Sequence, residues 1–216
     1  MIPPGTITVV HLVRHGEVHN PTKVLYGRLP GFRLSEAGER MAQQAAAYLS
    51  GRDVTVVRAS PLERAQQTAG PIAAAFGLEI GTDHRVIESA NRLEGTTVDV
   101  GPRILLRPAL WPLLRNPFRP SWGEPYVEVS ARVLDAVDDA RAAAAGHEAV
   151  LVSHQLPIEV TRRRVQGDRL WHRPDRRQCA LGSVTSLVYD GDTMALVEYA
   201  DPSGSGGAAQ AGSVGA

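Results

Sequence analysis

Leu12-Val13-Arg14-His15-Gly16-Glu17 is the stretch around which the rest of the chain is organised. It follows a run from Thr6 to Val13 that is rich in β-branched residues, as is typical of a buried strand. We therefore predict that His15 lies where this strand ends. Ligands of open α/β sheets bind beyond the carboxyl ends of the strands, and a cationic Arg14 beside an imidazole suits an anion. Taken alone, the pattern fits a strand that simply ends in polar residues equally well.

Length and composition predict one α/β domain without a strong global charge. The chain has 216 residues, with 23 Lys plus Arg against 23 Asp plus Glu, so nothing points to a nucleic-acid partner or an anionic membrane. The single cysteine, Cys179, excludes an internal disulfide framework and a multi-cysteine metal site. No stretch approaches the ~20 apolar residues of a membrane span. We expect a soluble cytoplasmic protein and leave its oligomeric state open.

The first half of the chain alternates between strand and helix patterns. A polar loop from Gly16 to Arg33 precedes a helix that Ser35 is predicted to cap. A strand over 54–57 then leads to Ser60-Pro61-Leu62-Glu63, where a capping serine and a proline at the first helical position predict a second helix. The predicted buried stripe of the first helix comprises Ala37, Met41, Ala45 and Tyr48, and that of the second Leu62, Ala65, Ala69, Ile72 and Phe76.

The second half continues the alternation after an irregular segment. Prolines interrupt residues 81–125, and we interpret 101–123 as an excursion, either a lid or a packed surface insertion. A helix from about 127 to 145, a strand over 149–153, a helix over 156–165 and two strands near 184–188 and 194–199 are predicted next. The basic run Arg162-Arg163-Arg164 is expected to be a solvated face.

Together these patterns predict an α/β fold of three layers. A mostly parallel central sheet carries helices on both faces in a single domain over residues 1–200. Residues 201–216 are rich in glycine, alanine and serine, and we expect this tail to be disordered.

Two of the predicted strands end in histidine, at His15 and at His154. Parallel strand ends face the same crevice, so the two histidines can converge although they are distant in sequence. Arg64 lies in the first turn of the second helix, and helical side chains lean toward the helix N-terminus, so its guanidinium can reach the same edge. Arginines, histidines and helix N-termini at one place are together typical of a pocket that binds a phosphoryl group.

The joint pattern resembles the histidine phosphatase superfamily, in its phosphoglycerate mutase-like branch. Four motifs appear in the family's order: Leu12-Val13-Arg14-His15-Gly16-Glu17, Ser60-Pro61-Leu62-Glu63-Arg64-Ala65 followed by Gln67-Thr68, Ile87-Glu88, and Val152-Ser153-His154. The resemblance implies that His15 is a nucleophile that becomes phosphorylated. It implies further that Arg14, Arg64 and His154 line the phosphate pocket, and that Glu88 donates a proton to the leaving group.

Several assignments stay open on the sequence alone. Glu94, in Leu93-Glu94-Gly95, competes with Glu88 for the role of proton donor, because the family has a second glutamate before a glycine. Asn20 stands close to the family's asparagine that contacts phosphate, although Val18 replaces the usual threonine or serine. Tyr26 and Arg28 are candidates for substrate specificity. We expect no metal site and no cofactor.

The preferred function is a phosphomonoester hydrolase acting on a small phosphorylated metabolite. The mutases of the family carry basic residues just after the acid, where this chain has Ser89-Ala90. In the family a glycine often follows the second histidine, where this chain has Gln155. No second set of anion ligands is evident beside Glu88. The alternatives are a phosphotransferase of the phosphoglycerate mutase type and a non-catalytic module that binds a phosphorylated ligand.

Overall fold

A computed structural model describes residues 1–97 and 123–207 of the chain. Most of the predicted excursion over 101–123 and residues 208–216 lie outside the described residues. The described residues form strands β1 (Ile7–Arg14), β2 (Val54–Ala59), β3 (Ile80–Thr82), β4 (Glu148–Ser153), β5 (Val184–Asp190) and β6 (Thr193–Ala200) and helices α1 (Glu36–Leu49), α2 (Glu63–Phe76), α3 (Tyr126–Ala143) and α4 (Gln155–Val165). Short 3₁₀ helices cover His84–Val86, Pro174–Arg176 and Ser205–Gly207.

The strands form one six-stranded sheet in the order β3-β2-β4-β1-β5-β6. β1, β2, β3 and β4 run parallel to one another, whereas β5 and β6 form an antiparallel edge. β1 and β4 are direct neighbours, and their last residues, Arg14 and Ser153, are paired in register. The predicted meeting of the two histidine-bearing strand ends is therefore built into the centre of the sheet.

The helices cover both faces of this sheet, as predicted. Successive residues of a strand point to opposite faces, and the four central residues of β4 are all apolar, so this strand contributes to a core on each face of the sheet. Its Ala149 and Leu151 pack with α3 and α4, whereas its Val150 and Val152 pack with α1 and α2. Burial on both faces explains why this strand reads as a continuous apolar run.

The helix boundaries correct two predictions about the first half of the chain. The buried face of α1 consists of Gly38, Ala42, Ala45, Ala46 and Leu49. Of the predicted stripe, Ala45 is buried, Ala37 and Met41 are partly buried, and Tyr48 is exposed. Helix α2 begins at Glu63 with Leu62 as its cap residue, so Ser60 is not the cap and Pro61 is not the first helical residue. The Ser60 hydroxyl has another partner, described below.

Two further corrections concern charge and the tail. Arg162 and Arg163 both pair with the fully buried carboxylate of Glu159, at 2.9 and 2.7 Å, so the basic run is not simply a solvated face. The expected disorder beyond Asp201 does not apply to residues 202–207. There Ser203 and Ser205 donate hydrogen bonds to the Leu181 carbonyl, at 2.9 and 2.8 Å, and a short helix follows.

The loop after His15 packs closely against the first turn of α1. A β-carbon placed on Gly38 would overlap the carbonyl oxygen of Glu17, and one placed on Gly16 would overlap the carbonyl of Gly38. The two backbones therefore approach to a distance that only glycine permits. This contact seats the loop that carries the Gly16 carbonyl beside His15.

We expect Gly38→Ala to lower the free energy of unfolding by about 1–3 kcal/mol, because the added methyl group forces these backbones apart. Gly51→Ala is the control, since Gly51 lies in the exposed turn just after the same helix and no atom beyond its chain neighbours stands within 4 Å of its added β-carbon. That variant should be neutral or more stable by up to ~1 kcal/mol. Urea unfolding of both variants measures the difference, and equal stabilities would contradict the close approach.

Candidate active site

His15 and His154 come together at the carboxyl ends of β1 and β4. The His15 backbone N–H donates to the Ser153 carbonyl at 3.1 Å, and the centroids of the two imidazole rings are 5.1 Å apart. Both side chains are buried. The convergence predicted from the sequence thus places two imidazoles in one enclosed space.

The hydrogen bonds of His15 define its tautomer. Nδ1 lies 2.7 Å from the Gly16 carbonyl oxygen, which can only accept, so Nδ1 carries the proton. The Nε–H of Arg64 donates to Nε2 at 3.3 Å, so Nε2 presents its lone pair. Burial, and then the positive charges of Arg64 and Arg14, hold the pKa of His15 well below its usual range. The imidazole is therefore neutral, with Nε2 unprotonated.

The two arginines beside His15 are held by backbone carbonyls rather than by carboxylates. Arg64 Nη2 donates to Gly27 at 2.7 Å, and Arg14 Nη1 donates to Cys179 at 2.6 Å. Thr68 joins the start of α2 to the loop after His15, because its hydroxyl donates to the Arg64 carbonyl and accepts from the Gly16 N–H. Since neutral acceptors leave both guanidinium charges uncompensated, the pocket favours an anion.

His154 acquires its orientation from Ser60. Its Nε2 lies 2.7 Å from the Ser60 hydroxyl, while its Nδ1 is buried without a hydrogen-bond partner within the described part of the chain. Burial, followed by the charge of Arg64, lowers the pKa of His154 well below its usual range. Ser60 therefore positions a neutral imidazole, a role that its place in a helix-start pattern concealed.

Glu88 brings a carboxyl group to the same space. Its side chain is only 2% exposed, its Oε1 accepts from the Ser89 N–H at 2.8 Å, and its Oε2 is buried without a partner among the described residues. Burial raises the pKa of this carboxyl, against the opposing effects of the Ser89 hydrogen bond and of nearby arginines. The Ser153 hydroxyl holds the segment that precedes Glu88, because it donates to the Val86 carbonyl at 2.7 Å.

Glu94 occupies a different setting from Glu88. Its side chain is half-buried, and its Oε1 accepts from the Asn91 N–H at 3.2 Å. The carboxyl group packs against Gly27, whose carbonyl holds Arg64. The geometry thus favours Glu88 as the proton donor, whereas Glu94 packs against the loop whose Gly27 carbonyl holds Arg64.

Tyr26 and Arg28 lie at the edge of the site in different ways. The Arg64 guanidinium lies 4.7 Å from the centroid of the buried Tyr26 ring. Arg28 donates to the Glu88 carbonyl at 2.6 Å and pairs with Glu124 at 3.0 Å, on the wall of a cleft of about 660 Å³. Their predicted contacts with a substrate remain predictions.

Asn20 is engaged by its own loop. Its amide donates to the Val24 carbonyl at 2.8 Å and accepts from the Val24 N–H at 3.0 Å. A contact from Asn20 to phosphate, as predicted, would use the remaining hydrogen of this amide or break the turn. The residue therefore has a structural role in shaping the loop, and its phosphate contact remains a prediction.

Three unpartnered polar atoms mark the space around His15: Arg14 Nε, Glu88 Oε2 and His154 Nδ1. Buried polar groups are normally hydrogen-bonded, so such atoms in one site need a ligand or water to satisfy them. A phosphoryl group offers several acceptor oxygens and a negative charge, which suits the Arg14 Nε–H and the guanidinium charges of Arg14 and Arg64. No group of three potential metal-ligating side chains occurs within residues 1–97 and 123–207.

Comparison with known proteins agrees with this geometry. Residues 10–202 match the histidine phosphatase superfamily (branch 1), and the chain belongs to that superfamily. It is similar to the uncharacterized protein Rv0525 of Mycobacterium tuberculosis, with 57% identity over 195 residues, which cover 90% of this chain and 96% of that protein. A probable phosphoglycerate mutase GpmB of Yersinia enterocolitica is 32% identical over 156 residues, covering 69% of this chain and 70% of that protein.

Two solved structures share the fold over most of both chains. Bacillus stearothermophilus YhfR superposes with a TM-score of 0.72 at 25% identity, covering 88% of this chain and 95% of that one. The mycobacterial glucosyl-3-phosphoglycerate phosphatase Rv2419c superposes with a TM-score of 0.69 at 25% identity, covering 84% and 90%. The superfamily thus includes both phosphatases and mutases.

None of the helices in the described part of the chain is long and apolar enough to cross a membrane.

Proposed function

We propose that the protein hydrolyses phosphomonoesters of small metabolites through a phosphohistidine on His15. The observation that carries this proposal is the neutral His15, whose Nε2 lone pair faces the guanidinium of Arg64. Cations around a neutral nucleophile suit a dianionic electrophile, because they attract the phosphoryl group without protonating the attacking nitrogen. The phosphatases and mutases among the relatives support a reaction of this kind.

In the first step, His15 Nε2 attacks phosphorus and the bond from phosphorus to the ester oxygen breaks. Arg14 and Arg64 balance the charge on the transferring phosphoryl oxygens. If the Ser60 hydroxyl donates to His154 Nε2, then Nδ1 of His154 carries a hydrogen for a phosphoryl oxygen. The protonated Glu88 gives its proton to the departing oxygen, so the alcohol leaves neutral.

In the second step, water attacks phosphorus and the bond from phosphorus to His15 breaks. Glu88, now ionised, accepts the proton of the attacking water, which restores its acid form. Inorganic phosphate leaves, and the electron pair returns to Nε2. The sum of the two steps is the hydrolysis of one ester by one water, with both side chains regenerated.

The positions after Glu88 favour hydrolysis over a mutase reaction. They hold the buried Ser89 and the exposed Ala90, so these two positions lack the basic residues that the mutases of the family carry just after the acid. A mutase must also protect its phosphohistidine from water.

We expect phosphate release to exceed phosphoryl transfer when the protein is given a phosphoglycerate and a bisphosphoglycerate primer. The measurement compares the rate of inorganic phosphate formation with the rate at which label moves between the phosphoglycerates. His15→Ala should abolish both activities. Transfer that outpaces phosphate release would assign the protein to the mutases instead.

A further inference from the structure

The arginines divide into two groups by their partners. Among the described residues, three of the arginines that are at least partly buried make no ion pair: Arg14, Arg64 and Arg177. Every other such arginine pairs with a carboxylate, namely Arg28, Arg52, Arg58, Arg85, Arg132, Arg141, Arg162 and Arg163. An uncompensated cation away from water is costly. Since Arg14 and Arg64 belong to the phosphoryl pocket, the third member of this set calls for an equivalent ligand.

Neutral groups hold the Arg177 guanidinium in place. Its Nη1 donates to Gln155 Oε1 at 2.8 Å and its Nε donates to His172 Nε2 at 3.0 Å. His172 is a neutral acceptor, because its Nδ1 donates to the Leu170 carbonyl at 2.7 Å. The ring of Tyr126 lies against His172, with centroids 5.7 Å apart. The Nη2 of Arg177 makes no hydrogen bond within residues 1–97 and 123–207.

Arg177 lies next to the phosphoryl pocket. Gln155 directly follows His154, and Cys179, two residues beyond Arg177, holds Arg14 through its carbonyl. The pKa of Glu88 is raised by burial and lowered in turn by the Ser89 hydrogen bond, Arg64 and Arg177. Arg177 is thus held beside the phosphoryl pocket by contacts next to His154 and Arg14, and its charge also acts on Glu88.

The acid has to reach the ester oxygen, so the leaving group must lie beside Glu88. A cation near Glu88 is therefore close to the leaving group. We propose that Arg177, held by Gln155 and His172, selects phosphomonoesters whose leaving group carries a second anionic group, a carboxylate or a phosphate. This inference rests on the proposed hydrolase function. It supplies an anion ligand near Glu88 that the sequence did not reveal, and it gives a role to Gln155, which stands where the family often has a glycine.

The test compares esters that differ only in charge. The kcat/KM values of wild type and Arg177→Gln are measured for 3- and 4-carboxyphenyl phosphate and for the uncharged 4-carbamoylphenyl phosphate. The intrinsic reactivities of the esters are common to both enzymes, so they cancel in the ratio of ratios. We expect wild type to prefer a carboxylated ester, and Arg177→Gln to reduce that preference by about tenfold or more, as for a lost charge-assisted hydrogen bond. A parallel arm with 1,4-phenylene bisphosphate distinguishes a phosphate from a carboxylate ligand.

Gln155→Glu tests the same inference without removing the arginine. The new carboxylate lies at ion-pairing distance from Arg177 and neutralises it, so the preference for the charged ester should fall while the side-chain shape is kept. Arg176→Gln is the matched control, since it removes an exposed arginine next to Arg177, and it should retain the preference. Circular dichroism and urea unfolding verify that each variant is folded.

The outcomes separate this inference from the function on which it rests. If wild type, Arg177→Gln and Gln155→Glu all hydrolyse the esters with the same preference for the charged ones, the role of Arg177 is overturned and the proposed hydrolase function stands. The same holds if wild type shows no preference for any anionic ester. Failure of wild type to hydrolyse any of these esters would contradict the proposed function, and the inference with it.

Discussion

His15→Asn is expected to lower kcat/KM for an aryl phosphate by about 10³-fold or more, the order of loss seen when a catalytic nucleophile is removed. The asparagine side chain can still donate to the Gly16 carbonyl, as His15 Nδ1 does now at 2.7 Å. It lacks any atom at the position of Nε2, so the nitrogen that attacks phosphorus is lost while the local fold is kept. Steady-state hydrolysis of 4-nitrophenyl phosphate measures the change.

His19→Asn provides the matched control for this substitution. It makes the same chemical change in an exposed histidine of the following loop, and its rate should stay close to that of wild type. Alkaline quenching after brief reaction with phosphate-labelled ester should trap an acid-labile phosphoprotein in wild type and none in His15→Asn. Rates within tenfold of each other for wild type and His15→Asn would rule out the nucleophilic role.

The meeting of His15, His154 and Arg64 was predictable because these residues belong to regular elements or directly follow them. His15 and His154 follow strands whose apolar runs identify them, and parallel pairing of neighbouring strands makes their ends coincide. Arg64 was placed through the lean of helical side chains, and it does reach His15. The three-layer architecture followed from the same alternation of patterns.

The residues that surround this centre were less predictable because long-range contacts place them. Ser60 lies in a sequence typical of a helix start, yet its hydroxyl bonds to His154 across two strand ends. Arg177 lies in an irregular segment, where no periodicity indicates the direction of a side chain. Its position depends on Gln155, which is distant in the chain and was noted only as a departure from the family. Local patterns contain no signal for such contacts.

Burial was also underestimated for polar groups. Glu159 is fully enclosed, and the Gln178 N–H donates to its carboxylate at 3.2 Å, besides the two arginines of its own helix. This carboxylate thus joins α4 to the segment that carries Arg177 and the Cys179 carbonyl. Composition suggested a solvated basic face, since charged residues are rarely buried without partners; the partners became visible only in three dimensions.

The sequence left open whether Glu88 or Glu94 donates the proton to the leaving group, and substitution of each residue tests this. Glu88→Gln is expected to lower kcat/KM for an alkyl phosphate by about 10²–10⁴-fold, the usual contribution of a general acid. The loss should be smaller for a dinitrophenyl ester, because a leaving oxygen that is already stable as an anion needs little help from a proton. Comparing esters of graded leaving-group pKa in wild type and variant measures this difference.

The pH dependence follows from the directions of two pKa shifts. Burial raises the pKa of Glu88, so its acid form persists to higher pH than in an ordinary glutamate, and the rate falls as pH rises through that pKa. Burial and the arginines lower the pKa of His15, so Nε2 is lost to protonation only in more acidic solution. The product of the two fractions gives a bell-shaped profile for alkyl esters. Glutamine does not ionise, so the alkaline limb that Glu88 causes should disappear in Glu88→Gln.

Glu94→Gln decides between the two carboxylates. Its amide oxygen can still accept from the Asn91 N–H, so this variant should keep the alkaline limb and most of the activity toward alkyl esters. The Oε2 of Glu88 has no partner in the described part of the chain and can hold a proton for the ester oxygen. The Glu94 carboxyl group instead contacts Asn91 and Gly27, in the loop that holds Arg64. If the limb vanished in Glu94→Gln and persisted in Glu88→Gln, the proton would have to come from Glu94, and the leaving group would then lie on the Gly27 side of the pocket rather than toward Arg177.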